Sequence, residues 1–217
     1  MMWSGGKDSA LALWRARQRG LDIRWLVTAC DAATGRVRFH ATPLDTIARQ
    51  ADAAALAFAP VSTTWEGFDA ALRDVYARLR REGCTGVVFG DIHLADVRAW
   101  YEERTAAAGL THIEPLWGED PRSLLAEFVA IGGRAVLTCV ETTKLPVAWL
   151  GRVIDQDFVR DIAETPIDPC GENGEYHSFA FAGPFFRVPL RWRPGDRRDE
   201  GRFAQLDVTA EVITPAR

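Results

Sequence analysis

Six residues near the start of the chain, Ser4-Gly5-Gly6-Lys7-Asp8-Ser9, have the types and spacing to hold a phosphate. They stand between a short apolar lead-in, Met1-Met2-Trp3, and apolar residues at helical spacing, Leu11, Leu13 and Trp14. A strand, a glycine turn and a helix N-terminus together present unpaired backbone N–H groups to an anion. Two successive glycines let the backbone approach a phosphate with no Cβ in the way. Lys7 adds a positive charge, and Ser4 and Ser9 add hydroxyls. Asp8, expected to open the helix, suits the dipole there and can hold a metal ion. The chain has 26 basic residues, yet only Lys7 and Lys144 are lysines, so a lysine in this loop reads as a chosen point charge. The lead-in is unusually short for a strand, and a start lying inside a longer natural first strand would weaken the cradle's support.

A second chemical segment lies far along the chain: Asp168-Pro169-Cys170-Gly171-Glu172-Asn173-Gly174-Glu175-Tyr176-His177-Ser178-Phe179. Glycines free its backbone while carboxylates, an amide, a phenol, an imidazole and a thiol crowd together. If its end is extended, Glu175 and His177 share one face and Tyr176 takes the other. Asn173-Gly174 is also a strong turn signal, so a polar hairpin accounts for the segment equally well. Gly90-Asp91-Ile92, followed by Arg98 and Trp100-Tyr101-Glu102, puts a carboxylate at a strand end, where it could face a ligand or merely cap a helix. His40 could contact a base or satisfy a loop carbonyl. Nothing in the sequence depresses the pKa of Cys170, so a structural thiol is favoured over a nucleophile.

Periodicity supplies the elements that must position these groups. Strands are expected at Ile23–Cys30, Phe58–Ser62, Gly86–Phe89, Thr111–Glu114 and Ala135–Val140. Helices are expected from Pro43 to about Leu56, from Phe68 to Gly83, from Asp91 to about Ala108 and from Pro121 to about Gly132. The alternation predicts an α/β fold with a parallel, doubly wound sheet, whose ligands bind at the carboxyl ends of the strands. After about Leu145 the texture changes to one helix (Asp155–Glu164) and β-like segments at Tyr176–Phe181, Phe186–Leu190 and Phe203–Ile213. Residues 1–145 are therefore expected to form the nucleotide-binding unit and 146–217 a small mixed α+β C-terminal region. A net charge of −4 argues against a general nucleic-acid binder, and no apolar run reaches membrane-spanning length. The four scattered cysteines form no C-x-x-C pair and suit reduced thiols in a cytoplasm.

Neither the Walker pattern nor the dinucleotide fingerprint is present. SGGKDS instead resembles the loop of the ATP pyrophosphatases, which cleave ATP between its α and β phosphates. The series continues with Phe39-His40-Ala41-Thr42-Pro43, Gly90-Asp91-Ile92, Arg98, Tyr101-Glu102 and Glu114-Pro115-Leu116-Trp117-Gly118-Glu119-Asp120-Pro121. Trp149-Leu150-Gly151-Arg152 and Gly171-Glu172-Asn173-Gly174-Glu175-Tyr176-His177 complete it. In that order the segments resemble the diphthine–ammonia ligase family, from about Trp3 to Phe186.

The resemblance implies an adenine nucleotide α-hydrolase-like fold and an ATP-dependent, AMP-forming amide ligase acting on ATP, ammonium and a carboxylate acceptor. It places ATP on Ser4, Gly5, Gly6, Lys7, Asp8, Ser9, His40, Gly90 and Asp91, with Mg²⁺ on Asp8. It assigns catalysis to Lys7, Asp8, Glu172 and Glu175, and the acceptor to Glu172, Asn173, Gly174, Glu175, Tyr176 and His177. Archaeal and eukaryotic members usually carry an alanine-type residue where Asp91 stands and glycine where Asn173 stands, so this chain resembles the bacterial branch. Bacteria are not expected to make diphthamide, which implies a different acceptor. A tRNA-thiolating enzyme and a non-catalytic nucleotide-binding regulator are the alternatives, and a homodimer is one assembly open to the chain.

Overall fold

The computed structural model describes residues 1–37 and 42–213, so His40 lies outside the described residues. The first half alternates as the periodicity predicts: α1 (Lys7–Gln18), β1 (Trp25–Asp31), α2 (Leu44–Ala54), β2 (Ala57–Thr63), α3 (Phe68–Arg81), β3 (Gly86–Val88), α4 (Ala95–Ala107) and β4 (Thr111–Ile113). Strand β1 runs parallel to β2, and β3 parallel to β4. The short lead-in needs no length of its own because it is bonded on both edges. Val27 N donates to Met1 O at 2.9 Å, Trp3 N to Val27 O at 2.8 Å, and Met2 N to Val88 O at 2.9 Å. Helix α3 turns Leu72, Val75, Tyr76 and Leu79 onto Val27, Ala59, Val61, Val87 and Phe89. Each such buried side chain stabilises the layer by about 1.5–3 kcal/mol.

The second half departs from expectation. After α5 (Pro121–Ala130), strand β5 (Arg134–Glu141) does not extend a parallel sheet. It lies antiparallel to β6 (Val153–Ile154), β7 (Tyr176–Ala182) and β9 (Phe203–Val212), while β8 (Leu190–Glu200) pairs with β9. The architecture is thus mixed α/β, with parallel strand pairs followed by a C-terminal antiparallel sheet. A buried apolar run carries no signal of direction. The connection decides: between β5 and β6 stands only the 3₁₀ turn Val147–Trp149, not the long crossover that a parallel neighbour requires. Strand β8, expected at Phe186–Leu190, instead contains Pro194-Gly195, with a register shift between Pro194 and Arg197. An edge strand tolerates such residues because one side of its backbone has no ladder to complete.

The two halves are locked together by side chains. Arg36 forms a two-pronged pair with Asp207 at 2.7 and 2.8 Å, and Thr46 Oγ1 donates to Val208 O at 2.8 Å. Asp120 caps α5 by accepting from Ser123 N. Behind the cradle, Arg15 of α1 pairs with Glu119 and Glu127. Among the described residues no helix is long and apolar enough to cross a membrane.

Candidate active site

The cradle is held from behind. Helix α1 starts at Lys7 with Gly6 at its N-cap, so Asp8 is the second helical residue rather than the first, and no side chain caps the end. Gly5 has φ +84°, and a Cβ there would stand 2.4 Å from Ile47 Cδ1 and 2.6 Å from Gln50 Oε1. Its carbonyl accepts from Ala180 N at 2.8 Å and from Gln50 Nε2 at 2.9 Å. Gln50 is fully buried, accepts from Trp3 Nε1 at 2.8 Å and donates to Ala180 O at 2.7 Å. One amide therefore joins lead-in, cradle and β7. Lys7 N donates to Ser178 Oγ at 3.2 Å, and Ser4 Oγ lies 3.3 Å from Ser9 Oγ. Gly90 at the end of β3 abuts the helix: a Cβ would lie 3.0 Å from Ser9 N and 3.1 Å from the Asp8 carbonyl carbon.

A cleft of about 1060 Å³ opens over this cradle. Its walls include Ser4, Lys7, Asp8 and Ser9, then Gly90 and Asp91, then Cys170, Gly171, Glu172, Gly174, Tyr176 and His177. Trp65, Phe68, Trp100 and Tyr101 form an aromatic flank, and Arg202 and Phe203 come from the β8–β9 hairpin. Three segments distant in sequence thus share one space. A smaller pocket of about 510 Å³, lined by Arg17, Arg24 and Arg187 among others, contains none of these residues.

Charge is concentrated in the cleft. Lys7 Nζ lies 2.8 Å from Asp8 Oδ2 and 4.9 Å from the centre of the Tyr176 ring, and it also donates to the Cys170 carbonyl. Burial opposes the charge on Lys7, but Asp8, together with Tyr176 and Cys170, offsets it and holds the ammonium well above its ordinary pKa. Burial pushes Asp8 up although Lys7 pulls it back. Asp91 rises to about 6 through burial and the charge of Glu114. Glu172 rises to about 7 through burial and the charge of Asp8, against the bond that it accepts from Ile92 N at 2.9 Å. His177 falls to about 4 because it is buried beside Lys7, and its imidazole is therefore neutral near pH 7. Burial also pushes the Cys170 thiol up, which agrees with a structural role.

Not every group of the second segment faces the cleft. Glu175 is buried with Oε1 3.9 Å from Lys144 Nζ, and Glu175 and Asn173 are absent from the cleft wall. Lys144 also donates to Asn173 O at 3.3 Å and pairs with Glu141 at 3.2 Å. Both lysines of the chain therefore grip this loop. The expected common face for Glu175 and His177 is split: His177 lines the cleft, while Glu175 turns to Lys144. Gln50, His93 and Lys144 support the site without belonging to any local motif, and Asp168 does so from the head of the second segment. Only the scarcity of lysine could have drawn attention to one of them.

Among the described residues no three His, Cys, Asp or Glu groups are placed to hold a metal ion by themselves. Asp8 is a quarter exposed and lines the cleft beside the cradle. Such a carboxylate fits a Mg²⁺ that takes its other ligands from substrate phosphates and water.

The fold and site define a mixed α/β protein in which a glycine turn at a helix N-terminus faces an acidic loop of the C-terminal antiparallel sheet. Residues 1–112 match the diphthamide synthase N-terminal domain and residues 120–207 the diphthamide synthase C-terminal domain, so the chain belongs to the diphthamide synthase family. Family membership points to ATP use and to an ATP-dependent, ligase-type function. No curated protein matches the chain.

Proposed function

We propose that the protein is an ATP-dependent, AMP-forming ligase that converts a carboxylate to an amide with ammonia. The observation that carries this reading is the convergence of Lys7 and Asp8, of Gly90 and Asp91, and of Glu172 and His177 on one cleft. A substrate carboxylate oxygen attacks the α-phosphorus of ATP, the bond to the bridging oxygen breaks, and pyrophosphate leaves. Ammonia then attacks the acyl carbon, the bond to AMP breaks, and the amide forms. N–H groups at the head of α1 and the Lys7 ammonium stabilise the charge that grows on the departing pyrophosphate. Glu172, with its pKa near 7, takes the proton that ammonia loses. Neutral His177 and Ser178 line the same wall and orient substrate. Asp8 would hold Mg²⁺, which supplies charge neutralisation at the phosphates.

Nucleotide binding is assigned to residues 1–145 and acceptor binding to 146–217, with β5 pairing in the sheet of the second unit. The bacterial-type segments favour an acceptor other than diphthine. Sulfur transfer fits less well, since Cys30, Cys139 and Cys170 are buried and burial lifts Cys139 to about 12. Free cysteines agree with a reducing cytoplasm.

The test is turnover of ATP with Mg²⁺ and ammonium, with and without a small-molecule extract of the host, following AMP and pyrophosphate. Extract-stimulated AMP release that is lost in Lys7→Ala supports the ligase. Release of ADP and phosphate instead overturns the AMP-forming assignment. ATP binding without turnover in any extract favours the regulatory binder.

A further inference from the structure

His93 belongs to no motif and lies outside the cleft wall, yet its side chain makes a short contact to the acidic loop. It follows Gly90-Asp91-Ile92, and its Nε2 lies 2.6 Å from Asp168 Oδ2. Asp168 is 6% exposed, and its other oxygen accepts from Cys170 N at 2.7 Å. The carbonyl of that same Cys170 accepts from Lys7 Nζ. An unbroken polar chain thus runs from His93 through Asp168 and the Cys170 backbone to the cradle lysine. The neighbouring Ile92 N donates to Glu172 Oε1, so two consecutive residues of one loop hold two acids of the other.

We infer that His93 is a positioning residue that, through Asp168 and Cys170, sets where the Lys7 ammonium stands in the cradle. This rests on the reading of Lys7 as the phosphate-binding lysine. The geometry favours control of Lys7 over simple packing for two reasons. His93 keeps more than a third of its side chain exposed, whereas Asp168 is buried and spends both oxygens on the chain. A buried carboxylate needs its partners: without His93 it would turn to find another donor, and the Cys170 backbone would lose its fixed orientation. The charged form of His93 is favoured by the bond to Asp168, with Glu172 and Glu175 adding to it. A lysine that must find its place after substrate arrives binds phosphate less well than one already placed.

The chain's two lysines make a direct test practical. Wild type, His93→Ala, His93→Gln and Asp168→Asn are treated with trace acetic anhydride, and acylation of Lys7 is read by mass spectrometry against Lys144. Affinity for ATP in EDTA is measured in parallel. The expected result is Lys7 acylation several-fold faster in His93→Ala and Asp168→Asn than in wild type, with ATP bound about tenfold more weakly. His93→Gln, which keeps a neutral donor, should recover part of both effects. Unchanged Lys7 acylation in His93→Ala overturns the inference, as does an equal rise at Lys7 and Lys144, the mark of general loosening. If wild type binds no ATP, the ligase reading falls, while acylation still decides whether His93 controls Lys7.

Discussion

Lys7 and Cys170 are 163 positions apart, and the Lys7 ammonium donates to the Cys170 carbonyl. That one bond closes the cradle of the first half onto the acidic loop of the second. Lys7→Ala removes both the charge and the link. Formation of AMP and pyrophosphate should fall by roughly 10²–10³-fold, the usual loss when one preorganised donor to a transition state is removed. Lys7→Arg should not restore it, because a planar guanidinium does not reproduce the compact ammonium held by Asp8 and the Cys170 carbonyl. Recovery by arginine would mean that charge alone is enough.

Glu172 should give the pH dependence of the reaction. Its pKa of about 7 in the free protein predicts that kcat/KM, expressed per unprotonated ammonia, rises as pH increases through 7. Glu172→Gln should lower the rate by about 10²–10⁴-fold and remove that limb. A limb that persists in the variant would transfer the role of base to another group.

The same carboxylate makes a stability prediction with a definite sign. Its folded pKa, about 7, lies above the ordinary value of 4.5, so the folded state holds a proton that the unfolded state has released. The contribution of Glu172 is therefore most favourable below about 4.5 and is lost as pH rises to 7. Glu172→Gln should match wild type near pH 5 and exceed it by roughly 1–3 kcal/mol at pH 8. Urea melts at the two pH values measure this, and a constant difference would contradict it.

Gln50 links Trp3, Gly5 and Ala180 through three bonds. Gln50→Ala should cost about 2–4 kcal/mol, since it leaves a cavity and strands several buried polar groups. It should also weaken ATP binding, because the Gly5 turn loses its support. Chemical denaturation and nucleotide titration together separate this outcome from a purely structural loss.

Asp8→Asn should raise the Mg²⁺ concentration needed for half-maximal AMP formation by about tenfold or more, since a neutral amide is a poorer ligand for a hard cation. An unchanged requirement would place the ion on substrate phosphates and other groups.

Much of this molecule was determined by local sequence. Two glycines and a lysine before a helix specify the turn, and capping residues with period-3.6 patterning placed α2 to α5 within a few residues. Those features follow from torsional freedom and side-chain direction, which act over a handful of neighbours. Tertiary structure alone decided the rest. Strand β5 is apolar along most of its length, and such a run pairs equally well in either direction until its connections choose. Glu175 turned to Lys144 because that cation lay behind the loop, not because of its position in the motif. Gln50 and the His93–Asp168 pair make bonds spanning 45 to 130 positions, and no local pattern encodes which buried donor will meet which acceptor. That is settled only when the parallel strands of the first half and the antiparallel sheet of the second close over the cleft, where a buried polar group without a partner is costly.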